Sequence, residues 1–437
     1  MEPRILPRAE HPISRRDIDA NVLKVLYRLA GAGFDAYLVG GGVRDLMLSR
    51  KPKDFDVATS AHPQQVRDLF RNSRMIGRRF RLVHVFFGRQ NVEVATFRKQ
   101  AEAVADTDDP LIRLDNTFGT PEEDAFRRDF TVNALFYSPQ TFEVIDFPGG
   151  VDDLEARLIR TIGDPELRMR EDPVRMMRAV RFAAKLGFEI EPATRAAIGR
   201  HRADLDKASV PRLVDETYKT LGQPEAAHAL VLMEELGLLE HVIPVLARHL
   251  KSRGATLAEQ PAVRNMAALG RAIGSGLSPD HSIVLAALML DLYRDEHRRE
   301  RGDPRRVDIL GELRGRGFAR GDTEQMRLIL EAFQNLAAPT RRTRRLMRRP
   351  YFPDARMFFE MSAPTYSIDA TRTIRFLADP DAFTASQAAS PINGVQPPAS
   401  TRRRRRRRRR RSRHGVAPIA AGDLNGASVS PDPTRRD

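Results

Sequence analysis

Apolar and polar positions recur with different periods along the 437-residue chain, and the change of period divides it. Between residues 17 and 33, Ile18, Val22, Val25, Leu26 and Leu29 repeat at helical spacing, which predicts an amphipathic helix ended by Gly31 and Gly33. Short runs with strand character follow at 36–39, 55–58, 80–87, 92–97 and 143–147, and predict strands mixed with short helices. From about residue 150 to about 380 the helical period takes over, with stops at Gly163-Asp164-Pro165, Gly187 and Gly222-Gln223-Pro224. Beyond about 385 come Ser, Pro, Ala and Gly, then ten consecutive arginines running from Arg402 through Arg406 to Arg411. That composition buries no core and predicts a disordered tail.

The expected organisation is therefore α+β: a mixed sheet with helices over 1–150, all-α segments over 151–222 and 223–384, and a basic tail over 385–437. The chain has no cysteine, which excludes disulfides, thiolate metal sites and cysteine nucleophiles and suits a reducing cytoplasm. Neither an apolar signal core in the first sixteen residues nor a membrane-length apolar stretch is apparent, so a soluble, cytoplasmic protein with no membrane partner is expected. Of the net charge of +15, residues 401–437 supply +10, from thirteen arginines and three aspartates. The cationic element is the tail.

The strongest chemical signal is Leu38-Val39-Gly40-Gly41-Gly42-Val43-Arg44-Asp45, followed by Asp54-Phe55-Asp56. It reads as strand, glycine turn, helix start and a second strand carrying two carboxylates. A glycine turn at a helix start presents bare N–H groups to a phosphate. On a strand, Asp54 and Asp56 project together, with Phe55 turned to the core. Paired carboxylates suit Mg²⁺, which prefers such oxygens together with substrate phosphates. The turn is neither a dinucleotide fingerprint nor a P-loop. The pattern points to metal-assisted nucleotidyl transfer.

Other segments extend that chemistry. Glu93, on the alternating strand Val92-Glu93-Val94, is a candidate third carboxylate for two metal ions. Arg127-Arg128-Asp129-Phe130-Thr131-Val132-Asn133 reads as a helix start, with arginines suited to forking onto a triphosphate; on its own, Asp129 reads as a cap. Glu171-Asp172-Pro173-Val174-Arg175-Met176-Met177-Arg178 opens a helix whose Glu171, Arg175 and Arg178 share a face. From spacing alone, that helix carries an Asp172 cap and a surface ion pair. Arg78 and Arg79 in Gly77-Arg78-Arg79-Phe80-Arg81-Leu82-Val83-His84-Val85 are candidate RNA or triphosphate contacts, and His84 reads as a packed core histidine.

In this order, the pieces resemble the class II nucleotidyltransferase family, which holds the CCA-adding enzymes and the bacterial poly(A) polymerases. The resemblance runs from His11-Pro12-Ile13-Ser14-Arg15-Arg16-Asp17-Ile18 to about Leu221, and more weakly to about residue 375. It implies a palm-like nucleotidyltransferase head over 1–150, a neck over 151–222 that recognises the base, and a body over 223–384 that supports RNA. It further implies that Asp54 and Asp56, with Glu93 as the expected third acidic ligand, hold two Mg²⁺, with Mn²⁺ as a substitute, and that Asp129 serves nucleotide binding and catalysis. Gly41, Gly42, Arg44 and Arg128 would hold the triphosphate, while Glu171, Asp172, Arg175 and Arg178 would read the base. The Gly77–Val85 segment resembles the poly(A) polymerase signature more than the CCA-adding one. The resemblance therefore implies template-independent addition of AMP from ATP to RNA 3′ ends, by a monomer with RNA-decay proteins as candidate partners. CCA addition to tRNA is the alternative reading, and a non-catalytic RNA-binding adaptor a distant one. An uninterrupted arginine run departs from the mixed Arg/Lys/Pro tail more usual in that family.

For single-stranded RNA each neutralised phosphate contributes about 0.7 to the salt slope, so ten engaged arginines, Arg402, Arg406 and Arg411 among them, would add at most roughly 7. Deleting residues 401–437 is expected to flatten the salt dependence of RNA binding and leave single-nucleotide addition unchanged; an unchanged slope would assign the tail another role.

Overall fold

The computed structural model describes residues 2–77, 81–99, 117–299, 303, 306–340 and 343–379. Arg78, Arg79, Arg402, Arg406 and Arg411, and with them the expected tail, lie outside the described residues. Alternation in the N-terminal part produces eight strands of one sheet: β1 (Arg4–Leu6), β2 (Ala36–Val39), β3 (Asp56–Thr59), β4 (Ser73–Ile76), β5 (Leu82–Phe87), β6 (Gln90–Thr96), β7 (Leu135–Ser138) and β8 (Glu143–Asp146). Their order is β1-β8-β7-β2-β3-β6-β5-β4. The pairing of β3 with β6 is parallel, and the other neighbours pair antiparallel.

Because side chains alternate across a strand, the sheet has two apolar faces. Helix α1 (Ala20–Gly31), capped by the Asp19 carboxylate on the Asn21 N–H, covers one of them. There Val22, Val25, Leu26 and Leu29 meet Leu38, Val57, Val92 and Val94 in the main core. Val39, Ala58, Phe97 and Phe136 form a smaller cluster on the opposite face. That second face also carries Asp56 and Glu93, which stand side by side in the β3–β6 register.

Three local expectations need correction. Asp54 precedes β3 rather than lying on it, so only Asp56 is held by the sheet ladder. Residues 127–135 do not start a helix: a helix at Pro121–Phe126, opened by a Thr120–Glu123 capping box, ends just before them. Phe130, Thr131 and Val132 resist helical continuation, and the chain makes a single tight turn over Thr131–Asn133 before entering β7. Glu171 does not share a helix with Arg175 and Arg178: it ends the helix Pro165–Glu171, and Asp172 and Pro173 separate it from the helix Val174–Leu186.

Beyond the sheet the structure is helical through to the helix Ala370–Ala378, except that Leu158–Ile159 and Glu189–Ile190 pair as a small parallel two-stranded sheet within the segment expected to be all-α. The helix Val174–Leu186 stops at Gly187, which is left-handed with φ of 69°, and packs against the helices Val210–Leu221 and Ala226–Glu235. Two buried carboxylates fix the β8 exit, which supports the turn beneath the site. Asp146 accepts the N–H groups of Gly149, Gly150 and Val151 at 3.0, 2.8 and 2.8 Å, and Asp153 accepts the Thr131 hydroxyl at 2.6 Å. Gly150 must be glycine there, because a Cβ would collide with the Thr131 carbonyl.

Asp146→Ala should therefore strand the buried amides of Gly150 and Val151 and cost about 2–6 kcal/mol, at roughly 1–3 kcal/mol for each buried group left unmet. Urea denaturation checks this, and an unshifted midpoint would mean that both amides find other partners.

Candidate active site

The strand–turn–helix at β2 places backbone and carboxylates at one end of a cleft. Gly40 adopts φ of 72°, and its N–H donates to the Leu135 carbonyl at 3.1 Å, so the chain turns sharply from β2 into the helix α2 (Gly41–Met47). A side chain at Gly40 would come within 3.0 Å of Arg128 Nη1 and 3.9 Å of Asp56 Oδ2, so glycine also leaves room for the charged groups. The cleft encloses about 940 Å³, and its walls carry ten cationic side chains against five carboxylates.

Asp54 and Asp56 are both exposed to the cleft. Partial enclosure pushes the Asp56 carboxyl above its usual range, the neighbouring Glu93 and Asp54 add to this, and Arg128 opposes it. Glu93 does not line the cleft; it meets His84 Nε2 at 3.3 Å, while His84 Nδ1 lies 2.9 Å from the Asn91 amide. His84 is thus half-buried beside a carboxylate rather than packed in the core. Among the described residues no three acidic or imidazole side chains form a ready cation cage. The Asp54–Asp56 pair, crowded by like charge, has the oxygen donors a hard divalent cation takes when phosphate completes its shell.

Asp129 anchors the opposite wall. Burial would push its carboxyl up, but Arg178, Asn133 and the Phe130 amide outweigh that and hold it below the usual range. Arg178 Nε donates to Asp129 Oδ2 at 2.7 Å, with Nη2 at 2.5 Å, while its Nη1 faces Glu216 at 3.9 Å. Arg127 and Arg128 are held by the two oxygens of one buried carboxylate, Asp124, at 2.5 and 2.9 Å. Arg44 lines the cleft, yet its guanidinium is buried, with Nη2 on Asp45 at 2.6 Å and Nη1 on Asn133 at 2.5 Å.

The segment 171–178 contributes Asp172, Arg175 and Arg178 to the cleft, but not Glu171. Glu171 instead joins Arg168 and Arg175, at 2.9 and 3.1 Å. Asp172 caps the helix Val174–Leu186 through the Val174 N–H at 3.3 Å, and its other oxygen accepts from Arg212 at 2.7 Å. The guanidiniums of Arg44, Arg178 and Arg181 ring the Phe182 face at 5.3, 5.3 and 4.4 Å. Sequence reasoning missed Asp124, Arg168, Arg212 and Glu216. Asp124 left a signal, three and four residues before two arginines; Arg212 and Glu216 reach the site from a distant helix and left none.

A mixed sheet bearing a glycine turn and neighbouring carboxylates, facing a basic helical wall, defines a nucleotidyltransferase of the class that includes CCA-adding enzymes. The chain belongs to the poly(A) polymerase family. A family model described as Poly A polymerase head domain matches residues 36–160, and one described as Probable RNA and SrmB- binding site of polymerase A matches 187–250. Poly(A) polymerase I of Haemophilus influenzae is 38% identical over 351 residues, 78% of this chain and 75% of that one. Poly(A) polymerase I of Salmonella typhi is 50% identical over 264 residues, 59% of this chain, and the match spans only 57% of that relative's length. A CCA-adding enzyme of Lactobacillus helveticus is 40% identical over 228 residues, 52% of this chain and 56% of that one. The crystal structure of the Bacillus stearothermophilus CCA-adding enzyme in complex with CTP superposes with a TM-score of 0.63 at 26% identity, covering 87% of this chain and 90% of that one.

Replacing Arg178 by Met leaves Asp129 buried without its cation, which should cost about 3–5 kcal/mol at neutral pH. Asp129 is held low in the folded state, so its contribution is present above the ordinary carboxylate range and lost as pH falls through its lowered value. Calorimetry should therefore show a deficit for Arg178→Met that is largest at neutral pH and shrinks in acid; a pH-independent deficit would assign the loss to packing.

Proposed function

We propose that the protein extends RNA 3′ ends with AMP from ATP, without a nucleic-acid template. The observation that carries this reading is the junction of the Asp54–Asp56 pair, the Gly40 turn and the arginine-rich wall in one cleft, in a chain whose relatives at 50% identity are named Poly(A) polymerase I. In the reaction the RNA 3′-oxygen bonds to the α-phosphorus of ATP, the bond from that phosphorus to the bridging oxygen breaks, and pyrophosphate leaves. The 3′-hydroxyl loses its proton to solvent or to an acceptor at the cleft.

Asp54 and Asp56 would hold Mg²⁺, with Glu93 as a neighbouring carboxylate. Held by those carboxylates, a bound Mg²⁺ would supply acidification of the attacking hydroxyl and neutralisation of charge on the leaving pyrophosphate. The chain's own groups do the positioning, which is most of such catalysis. Gly41 and Gly42 leave the backbone open to the triphosphate, and Arg128, steadied by Asp124, faces it. Arg44 supports the turn from below through Asn133. Asp172 and Arg175 would read the adenine edge, with Arg212 fixing the orientation of the Asp172 carboxylate. Asp129 acts through Arg178, setting the base-reading helix against the sheet. No helix among the described residues is long and apolar enough to cross a membrane, and the cytoplasm is the proposed place of work.

The alternative is CCA addition, favoured by the 40% identity to an enzyme of that name. Incubating a 3′-hydroxyl RNA with Mg²⁺ and each nucleotide separately, beside tRNA lacking its CCA end, decides between them. Long ladders with ATP alone on unrelated RNA are expected; addition that stops after CCA, on tRNA only, would select the alternative. Asp54→Ala should lose at least about 10³-fold in incorporation while folding normally, on the scale of a lost transition-state contact. A folded, active Asp54→Ala would overturn the assignment of the cleft.

A further inference from the structure

We propose that a second pocket, formed by Arg8, Ser14, Arg15, Arg16, Tyr27 and Tyr137, binds a phosphate group on the face of the sheet remote from Asp56. It encloses about 550 Å³ between the N-terminal segment, α1 and β7. Its position follows from register. Tyr137 stands opposite Leu38 in the β7–β2 pair, whereas Phe136 stands opposite Val39, and Val39 opposite Asp56. Adjacent residues on a strand point to opposite faces, so Tyr137 and Asp56 lie back to back across the sheet.

Three features make the pocket a built anion site rather than a basic surface. Its lining has three arginines and no carboxylate. None of the three makes an ion pair among the described residues, while Arg4 nearby is paired with Asp152 at 2.5 Å. Arg15 is also pre-oriented: its Nη1 donates to the Tyr27 hydroxyl at 3.1 Å, and its guanidinium lies 4.6 Å from the Phe142 ring centre. Tyr27 in turn donates to the Pro139 carbonyl at 3.2 Å. That relay holds one edge of Arg15 and leaves the rest of its fork for a ligand.

The third feature is a buried donor. Tyr137 is fully buried, and its hydroxyl has no hydrogen-bond partner among the described residues. Burial pushes its phenol up while Arg8 and Arg15 pull it down, so both guanidiniums act on the same atom. Buried hydroxyls are nearly always paired, and one facing uncompensated arginines matches an oxyanion. A phosphate offers the oxygens that guanidinium forks and a phenol need together. It would come either from the backbone of RNA or from a free phosphate.

Thermal unfolding of the full chain without Mg²⁺, in phosphate against chloride at matched ionic strength, tests the site. Wild-type protein should gain in Tm, and Arg15→Gln/Arg16→Gln and Tyr137→Phe should each lose part of that gain. An exposed charge-matched control, Arg67→Gln/Arg71→Gln, should lose none. Each variant is compared with itself in chloride, so lowered intrinsic stability does not obscure the result. Oligoadenylate binding then separates the sources: if RNA supplies the phosphate, two lost contacts lower the salt slope by about 1.4 in the Arg15→Gln/Arg16→Gln variant. If free phosphate is the ligand, the slope is unmoved. An equal phosphate gain in wild type and pocket variants, or an equal loss in the control, would overturn the proposal. AMP addition at low salt should be unchanged in the pocket variants, which keeps this result distinct from failure of the catalytic reading.

Discussion

A carboxylate buried at the junction of sheet and helices must find a cation, and that requirement organises this protein. Asp129 sits just before β7, while Arg178 lies forty-nine positions along the chain, on the helix that forms the far wall of the cleft. Their pair ties the two walls together. Arg178 also faces Glu216, and Arg181 donates to the same carboxylate at 2.5 Å, so the network extends into a third segment. An unpaired charge at such depth is costly, so the pair selects one relative placement of the walls over its neighbours.

The same logic sets the balance of charge within the cleft. Several guanidiniums are held by protein: Arg127 and Arg128 by Asp124, Arg44 by Asp45 and Asn133, Arg212 by Asp172. These pairs hold side chains still without cancelling the excess, since ten cations face five carboxylates. The triphosphate of the proposed reaction would complete that balance, and a cleft whose charges are already oriented needs little rearrangement to receive an anion.

Much of this was legible in the sequence, and the omissions have physical causes. The Gly40 turn and Asp56 were readable because strand, turn and carboxylate are adjacent and each obeys a local rule. Segment 127–135 resembles a helix start in its charges, whereas Phe130, Thr131 and Val132 favour extended backbone and the chain makes one tight turn there. Glu171 and Arg175 are four apart, yet Glu171 ends the helix Pro165–Glu171 while Arg175 belongs to the next one, so Glu171 turns to Arg168 and Arg175 lines the cleft. Arg212 and Glu216 were invisible because their partners are made only by helix packing. Local patterns announce elements; long-range ion pairs are settled by the assembled fold.

The parallel pairing of β3 and β6 has a consequence for how the domain varies. Asp56 and Glu93 are neighbours because those two strands pair directly, not because of the chain between them. That chain leaves through the helix α3 (Pro63–Leu69), builds β4 and β5 at the sheet edge, and returns. Lengthening or trimming this excursion changes the rim of the sheet and leaves the spacing of the two acids untouched. The fold thus separates a frame, where the β3–β6 register sets the spacing of the acids, from an edge that reaches them through the contact of His84 with Glu93.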